Sequence, residues 1–112
     1  MTGIDKKRLE NNLFIGIRNN KNLEKCLNEL LNDCQMRLSN KCESAKLKQS
    51  EIHELVFDVR YIKHLLDRKR SPKVDYQYML KQTNETKSSY YRYRGKTLLK
   101  IKNYLEQNEQ CI

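Results

Sequence analysis

Residues that interrupt helices are scarce in this chain, which has three Gly and one Pro in 112 residues. A sheet protein needs a turn after every short strand, and turns draw heavily on Gly and Pro. Their scarcity therefore predicts long helices joined by few connections. We expect an all-α fold, a small helical bundle of four or five helices built from antiparallel helical hairpins.

Apolar residues recur at helical spacing in several segments of the chain. The strongest pattern lies in residues 50–70, where intervals of three and four predict a helix with a wide, core-facing apolar side. The predicted helices of the single domain 1–112 span residues 4–17, 22–42, 50–70, 72–82 and 89–107. The sequence leaves open whether residues 22–70 form one helix or two.

Positive charge is concentrated in the second half of the chain. The net charge is +9, of which residues 1–56 carry +2 and residues 57–112 carry +7. An acidic partner, either nucleic acid or protein, should therefore meet the C-terminal half. The alternative interpretation is that the charge serves solubility alone.

Residues 87–102 combine six cations with three tyrosines and contain no acidic residue. Arg and Lys contact phosphates, and Tyr adds hydrogen bonds or stacking, so this segment is a candidate contact for nucleic acid or another acidic partner. The candidate residues are Lys87, Arg92, Arg94, Lys96, Lys100 and Lys102. The alternative is an amphipathic helix whose tyrosines pack inward and whose cations are simply solvated.

The apolar stripes predict a protein partner or a homo-oligomer, because a chain this short buries only about two-thirds of its unfolded surface. The stripes exceed what one thin core is expected to cover, and an uncovered stripe is typical of an interface. The predicted interface residues are Leu23, Leu27, Leu30, Leu98, Ile101 and Leu105.

No pattern of catalytic or metal-binding residues stands out. Cys26, Cys34 and Cys42 are eight residues apart, whereas zinc ligands are paired at spacings of two to four. We therefore expect no enzyme activity, no metal and no cofactor. Because no signal peptide and no membrane-spanning stretch is recognised, we expect reduced cysteines in an intracellular protein, nuclear or cytoplasmic.

Residues 88–104 resemble the basic helix of GINS subunits, the helical proteins that support the replicative helicase. The matching residues are Ser89, Tyr90, Arg92, Arg94, Leu99, Lys100 and Ile101. The segment Gly95-Lys96-Thr97 departs from the family pattern as an insertion of three residues. The resemblance implies that the helix lies in a subunit interface of a non-catalytic scaffold in DNA replication.

Three functional hypotheses follow from these observations. The first is a non-catalytic interaction subunit that packs on a partner protein, such as a scaffold of a nuclear DNA-replication or other nucleic-acid-processing complex. The second is a direct nucleic-acid-binding protein that uses the basic C-terminal helix. The third is a small viral or parasite effector that binds a host protein.

Overall fold

The structure, a computed structural model of the chain, describes residues 3–67, 80–81 and 85–107. Every element in these ranges is an α-helix and none is a strand, so the prediction of an all-α fold is confirmed for them. The helices are α1 Gly3–Asn19, α2 Lys21–Ser39, α3 Lys41–Ser44, α4 Gln49–Leu66 and α5 Lys87–Gln107. The predicted helix at residues 72–82 lies outside the described residues, except for residues 80 and 81.

Two asparagines separate the helices in the first half of the chain. Asn20 alone connects α1 to α2, and its side-chain oxygen accepts hydrogen bonds from the backbone N–H groups of Asn22 at 2.9 Å and Leu23 at 3.3 Å. These bonds satisfy two of the donors that a helix leaves unpaired at its N-terminus. Asn40 has an extended backbone and ends α2, and α4 begins only at Gln49. Residues 22–70 are therefore not one continuous helix.

The one-residue connection between α1 and α2 brings the two helices into close contact at Gly16. A Cβ atom on Gly16 would lie 2.5 Å from Cδ2 of Leu23, which is closer than real Cβ contacts allow. The backbone N–H of Asn20 also donates to the carbonyl of Gly16 at 2.7 Å. A residue without a side chain at position 16 thus allows this tight turn, although Gly is a poor helix former.

The four long helices share one hydrophobic core, and α4 packs against α1, α2 and α5. Fully burying one large apolar side chain stabilises a fold by about 1.5–3 kcal/mol, so the core is the main source of stability. The buried residues of the core are Leu13, Phe14, Ile17, Leu23, Leu27, Leu30, Cys34, Leu55, Phe57, Tyr61, Ile62, Leu65, Tyr90, Leu98 and Ile101.

The predicted partner interface is wrong for this fold, because its side chains belong to the core. Leu27, Leu98 and Ile101 are each 0% exposed. Buried too are Leu23 and Leu30, and Leu105 is half-buried against the same cluster. Their stripes face one another across helices of the same chain, so a partner protein is not needed to cover them.

Candidate functional site

Helix α5 carries all six of the predicted contact residues, but it divides them between two sides. Four are exposed, and none of the four forms an ion pair with a residue that the structure describes. These four residues, which we call the basic face of α5, are Lys87, Arg92, Lys96 and Lys102. The other two, Arg94 and Lys100, are engaged by acidic residues of other helices.

Arg94 is buried, and the prediction that it contacts nucleic acid is wrong. Its Nε atom lies 4.0 Å from a carboxylate oxygen of Glu10 on α1, and its guanidinium lies 5.2 Å from the ring centroid of Tyr91. The hydroxyl of Tyr61 on α4 donates to the same Glu10 oxygen. Burial, reinforced by the charge of Glu10, holds the pKa of Tyr61 well above 10. This group joins α1, α4 and α5 and is structural.

Lys100 is held by a buried carboxylate that the sequence analysis missed. Asp58 on α4 is 0% exposed and accepts hydrogen bonds from the Thr97 hydroxyl at 2.6 Å and from the Lys100 ammonium. Glu54 lies 3.8 Å from the same ammonium. Burial raises the pKa of Asp58 above its ordinary value of 3.8, and the bonds from Lys100 and Thr97 only partly oppose this. Lys100 therefore serves the packing of α4 on α5.

A signal for this network was present in the sequence. Asp58 lies three residues after Leu55 and four before Ile62, so it falls on the apolar face of the predicted helix. A carboxylate on a buried face requires hydrogen bonds and an opposite charge. The pattern therefore predicts a polar partner for Asp58, although it does not say which helix provides it.

Two of the three tyrosines of the segment, Tyr90 and Tyr93, pack inward, as in the alternative interpretation of an amphipathic helix. Tyr90 is buried, and its ring centroid lies 5.9 Å from that of Phe57. Tyr93 lies 5.5 Å from Phe57 and carries two cations of the basic face on its ring, Arg92 at 5.1 Å and Lys96 at 6.0 Å. Such cation–π contacts hold the two cations in place beside the helix.

The basic face of α5 nevertheless includes apolar surface. Tyr91 is 39% exposed and Leu99 is 48% exposed. Both lie on the solvent side of the helix between Lys87 and Lys102. With a rise of about 1.5 Å per residue, these two lysines are separated by about 22 Å along the helix axis. The face therefore offers an anionic partner a row of cations interrupted by two apolar side chains.

The described cysteines differ in state, which corrects one expectation. Cys34, buried in α2, and Cys42, exposed in α3, are free thiols. Cys26, also buried in α2, is disulfide-bonded, so the expectation of reduced cysteines is wrong for this residue. Cys111 lies outside the described residues. Since disulfides persist mainly in oxidising compartments, Cys26 does not support the expectation of an intracellular protein.

Among the residues that the structure describes, no group of three or more His, Cys, Asp or Glu side chains is arranged to hold a metal ion. No helix within the described ranges has both the length and the apolar character that crossing a bilayer requires.

No family model, curated protein or solved structure matches this chain. The resemblance of residues 88–104 to GINS subunits therefore stays a prediction. Its residues do not form one surface in this fold. Tyr90, Arg94 and Ile101 are buried, whereas Arg92 and Leu99 are exposed.

Proposed function

We propose that this chain is a non-catalytic binding protein that attaches to the phosphate backbone of nucleic acid through the basic face of α5. One observation carries the proposal: four exposed cations lie on one helix without an ion pair to any described residue. Three acidic groups that face α5, Asp58, Glu54 and Glu10, already lie against Lys100, Tyr61 or Arg94.

The dimensions of the face suit a nucleic-acid backbone. Each strand of a duplex carries one phosphate per about 3.4 Å, so about 22 Å of helix faces about six phosphates of one strand. When Lys and Arg contact phosphates, they release the counterions condensed on the nucleic acid, and these contacts do not read the base sequence. We therefore propose binding to nucleic acid of any sequence.

We also propose the antiparallel helical hairpins that the sequence predicts. Asn20 alone connects α1 to α2, and the two helices contact each other. This supports an antiparallel pair, because short connections join antiparallel neighbours.

A protein partner is the second candidate, and the observation that favours it is the exposure of Tyr91 and Leu99. Aromatic residues and Arg are enriched at protein interfaces. The predicted role as an interaction subunit of a DNA-replication complex would use this same face. This predicted role no longer rests on the apolar stripes, because their leucines are covered within the chain.

The test is a salt titration with labelled nucleic acid, read by fluorescence anisotropy. We expect binding at low salt. On single-stranded nucleic acid, a plot of the logarithm of the association constant against the logarithm of the salt concentration should have a slope of about −3 if all four cations contact phosphates. The double variant Arg92→Ala/Lys96→Ala should lower the slope by about 1.4, at about 0.7 per lost contact. The matched control is Lys21→Ala/Lys25→Ala, which removes two exposed cations at the same spacing on α2.

Three results would contradict the proposal. The first is the absence of binding at low salt. The second is an equal loss of affinity in the control variant, which would assign the binding to net charge alone. The third is competition by polyglutamate as effective as competition by nucleic acid of matched charge, which would favour an acidic protein instead.

A further inference from the structure

Two cations of the basic face lie beside one aromatic ring. The guanidinium carbon of Arg92 is 5.1 Å from the ring centroid of Tyr93, and the ammonium of Lys96 is 6.0 Å from the same centroid. The two residues are four apart on α5, so they are neighbours on the helix surface, with Cβ atoms about 5–6 Å apart. Their charged groups therefore gather at one place instead of spreading along the helix.

The Tyr93 ring is itself held by α4. Its centroid lies 5.5 Å from that of the buried ring of Phe57 and 5.0 Å from that of His53, one turn earlier on α4. A ring that packs against the core has little freedom, and cation–π attraction passes this order on to Arg92 and Lys96. Less side-chain freedom is then lost when these two cations bind a ligand.

Neither cation forms an ion pair with an acidic residue that the structure describes. Two carboxylates beside this part of α4 are engaged by other groups. Glu85 contacts Nε2 of His53, and Glu54 lies 3.8 Å from the ammonium of Lys100. Like charges four apart on a helix repel each other, so an anion bound between the two cations would relieve a repulsion that the chain leaves in place.

Two gathered cations match the charge of a phosphate monoester. A phosphodiester of the backbone carries one negative charge, whereas a monoester carries about −1.5 to −2 at pH 7 and offers three acceptor oxygens. A guanidinium and an ammonium carry two positive charges together, and they can donate hydrogen bonds to different oxygens of one phosphate. A monoester would therefore gain more from this place than a phosphate within the strand.

We propose that Arg92 and Lys96, held beside the Tyr93 ring, form a binding site for a phosphate monoester, the group at a phosphorylated end of a nucleic-acid strand. This inference rests on the proposed function of the basic face and adds a preference for strand ends to it. Arg92 and Lys96 contact the ligand. Tyr93 is a positioning residue, because it acts through the two cations.

The first test compares two ends of one strand. The probes are oligothymidylates of about 20 nucleotides with a phosphate or a hydroxyl at the 5′ end and fluorescein at the 3′ end. Anisotropy at about 0.1 M potassium chloride and about pH 7.5 gives the ratio of the two Kd values. We expect the phosphorylated probe to bind about tenfold more tightly, which is the effect of two exposed ion pairs. In Arg92→Gln/Lys96→Gln the ratio should fall below about twofold.

The matched control is Lys6→Gln, which also removes a cation beside α5. The Lys6 side chain, on α1, lies over Gly95, where a Cβ atom would be 2.6 Å from its Nζ. Gly95 is about 160° around the helix from Tyr93. Lys6→Gln should therefore leave the ratio of the two Kd values unchanged, even where it weakens the binding of both probes.

The second test changes the ring without changing any charge. Tyr93→Leu removes the aromatic face that holds the two cations, so the ratio of the two Kd values should fall to about threefold. Tyr93→Phe keeps the ring and should keep the ratio. Because the ratio compares two probes on one folded variant, a lower Tm in Tyr93→Leu does not by itself change it.

A competition experiment identifies where the phosphate monoester comes from. Thymidine 5′-monophosphate is added at about 1 mM to the chain with each probe. If it abolishes the advantage of the phosphorylated probe, the site accepts a free phosphate monoester. If the advantage persists, the site requires the monoester to be part of a strand, and the neighbouring cations of the basic face explain why.

The outcomes separate this inference from the proposed function. Equal binding of both probes by the unmodified chain refutes the monoester site and leaves the basic face standing. An advantage that survives in Arg92→Gln/Lys96→Gln, or that Lys6→Gln abolishes as fully, also refutes the site, because other charges then cause the preference. If the unmodified chain binds neither probe at low salt, the proposed function and this inference both fail.

Discussion

The contact between Asp58 and Lys100 gives a sharp prediction about stability. Lys100→Met keeps most of the aliphatic stem but removes the ammonium that compensates a fully buried carboxylate. Removing one partner of a buried ion pair costs about 3–5 kcal/mol. The Lys100 side chain is 32% exposed, and solvent screens the pair, so we expect the lower value of about 2–3 kcal/mol. Chains of this size are stabilised by only about 5–15 kcal/mol in total.

The pH dependence of this loss follows from the direction of the pKa shift. Burial raises the pKa of Asp58 above 3.8, and the Lys100 ammonium partly lowers it. Removing that ammonium in Lys100→Met therefore raises the pKa of Asp58 further. Between its unfolded and folded pKa values Asp58 binds more protons in the native state, so stability falls as pH rises through the folded pKa. As the pH falls, Asp58 takes up a proton more readily in the variant than in the unmodified chain, so the missing ammonium matters less. The cost of Lys100→Met should therefore shrink between about pH 7 and about pH 4.

Urea unfolding followed by far-UV circular dichroism at the two pH values measures this cost. The control is Lys102→Met, which changes an exposed lysine two residues away that has no ion pair with a described residue. It should alter the free energy of unfolding by less than about 0.5 kcal/mol at either pH. Equal losses in the two variants, or a Lys100→Met loss that does not change with pH, would refute the assignment of Asp58 as a buried, charge-compensated group.

Two further predictions concern the turn after α1 and the free thiols. Gly16→Ala should destabilise the chain by about 1 kcal/mol in urea unfolding, because overpacking against Leu23 costs about 1–3 kcal/mol and better helix formation returns about 1 kcal/mol. A net gain in stability would show that Leu23 moves aside freely. Ellman's reagent should modify exposed Cys42 at once but Cys34 only after unfolding, because Cys34 is buried and its thiol pKa is raised chiefly by burial and secondly by the charge of Asp58. Loss of the fast phase in Cys42→Ser would confirm the assignment, and equal rates for both thiols would contradict it.

Local patterns in the sequence were sufficient to predict the four long helices, but not the separate short helix α3, which the prediction had merged into a helix over residues 22–42. The apolar spacing in residues 50–70 corresponds to α4 at Gln49–Leu66, and residues 89–107 correspond to α5 at Lys87–Gln107. Helical periodicity depends on residues within a few turns of each other, so one segment contains the necessary information. The same periodicity could have separated Arg94, which shares a face with Leu98 and Ile101, from the exposed cations.

What the stripes pack against was decided only by the tertiary structure. Leu27 and Leu98 belong to stripes that look the same in sequence whether a partner or another helix of the chain covers them. Burial depends on how four helices converge, which no single stripe specifies. The placement of Lys6 over Gly95 also depends on how the helices pack, and no local pattern in the sequence indicates it. The two residues lie at opposite ends of the chain, and only the packing of α1 on α5 brings an ammonium to a position that the sequence leaves without a side chain.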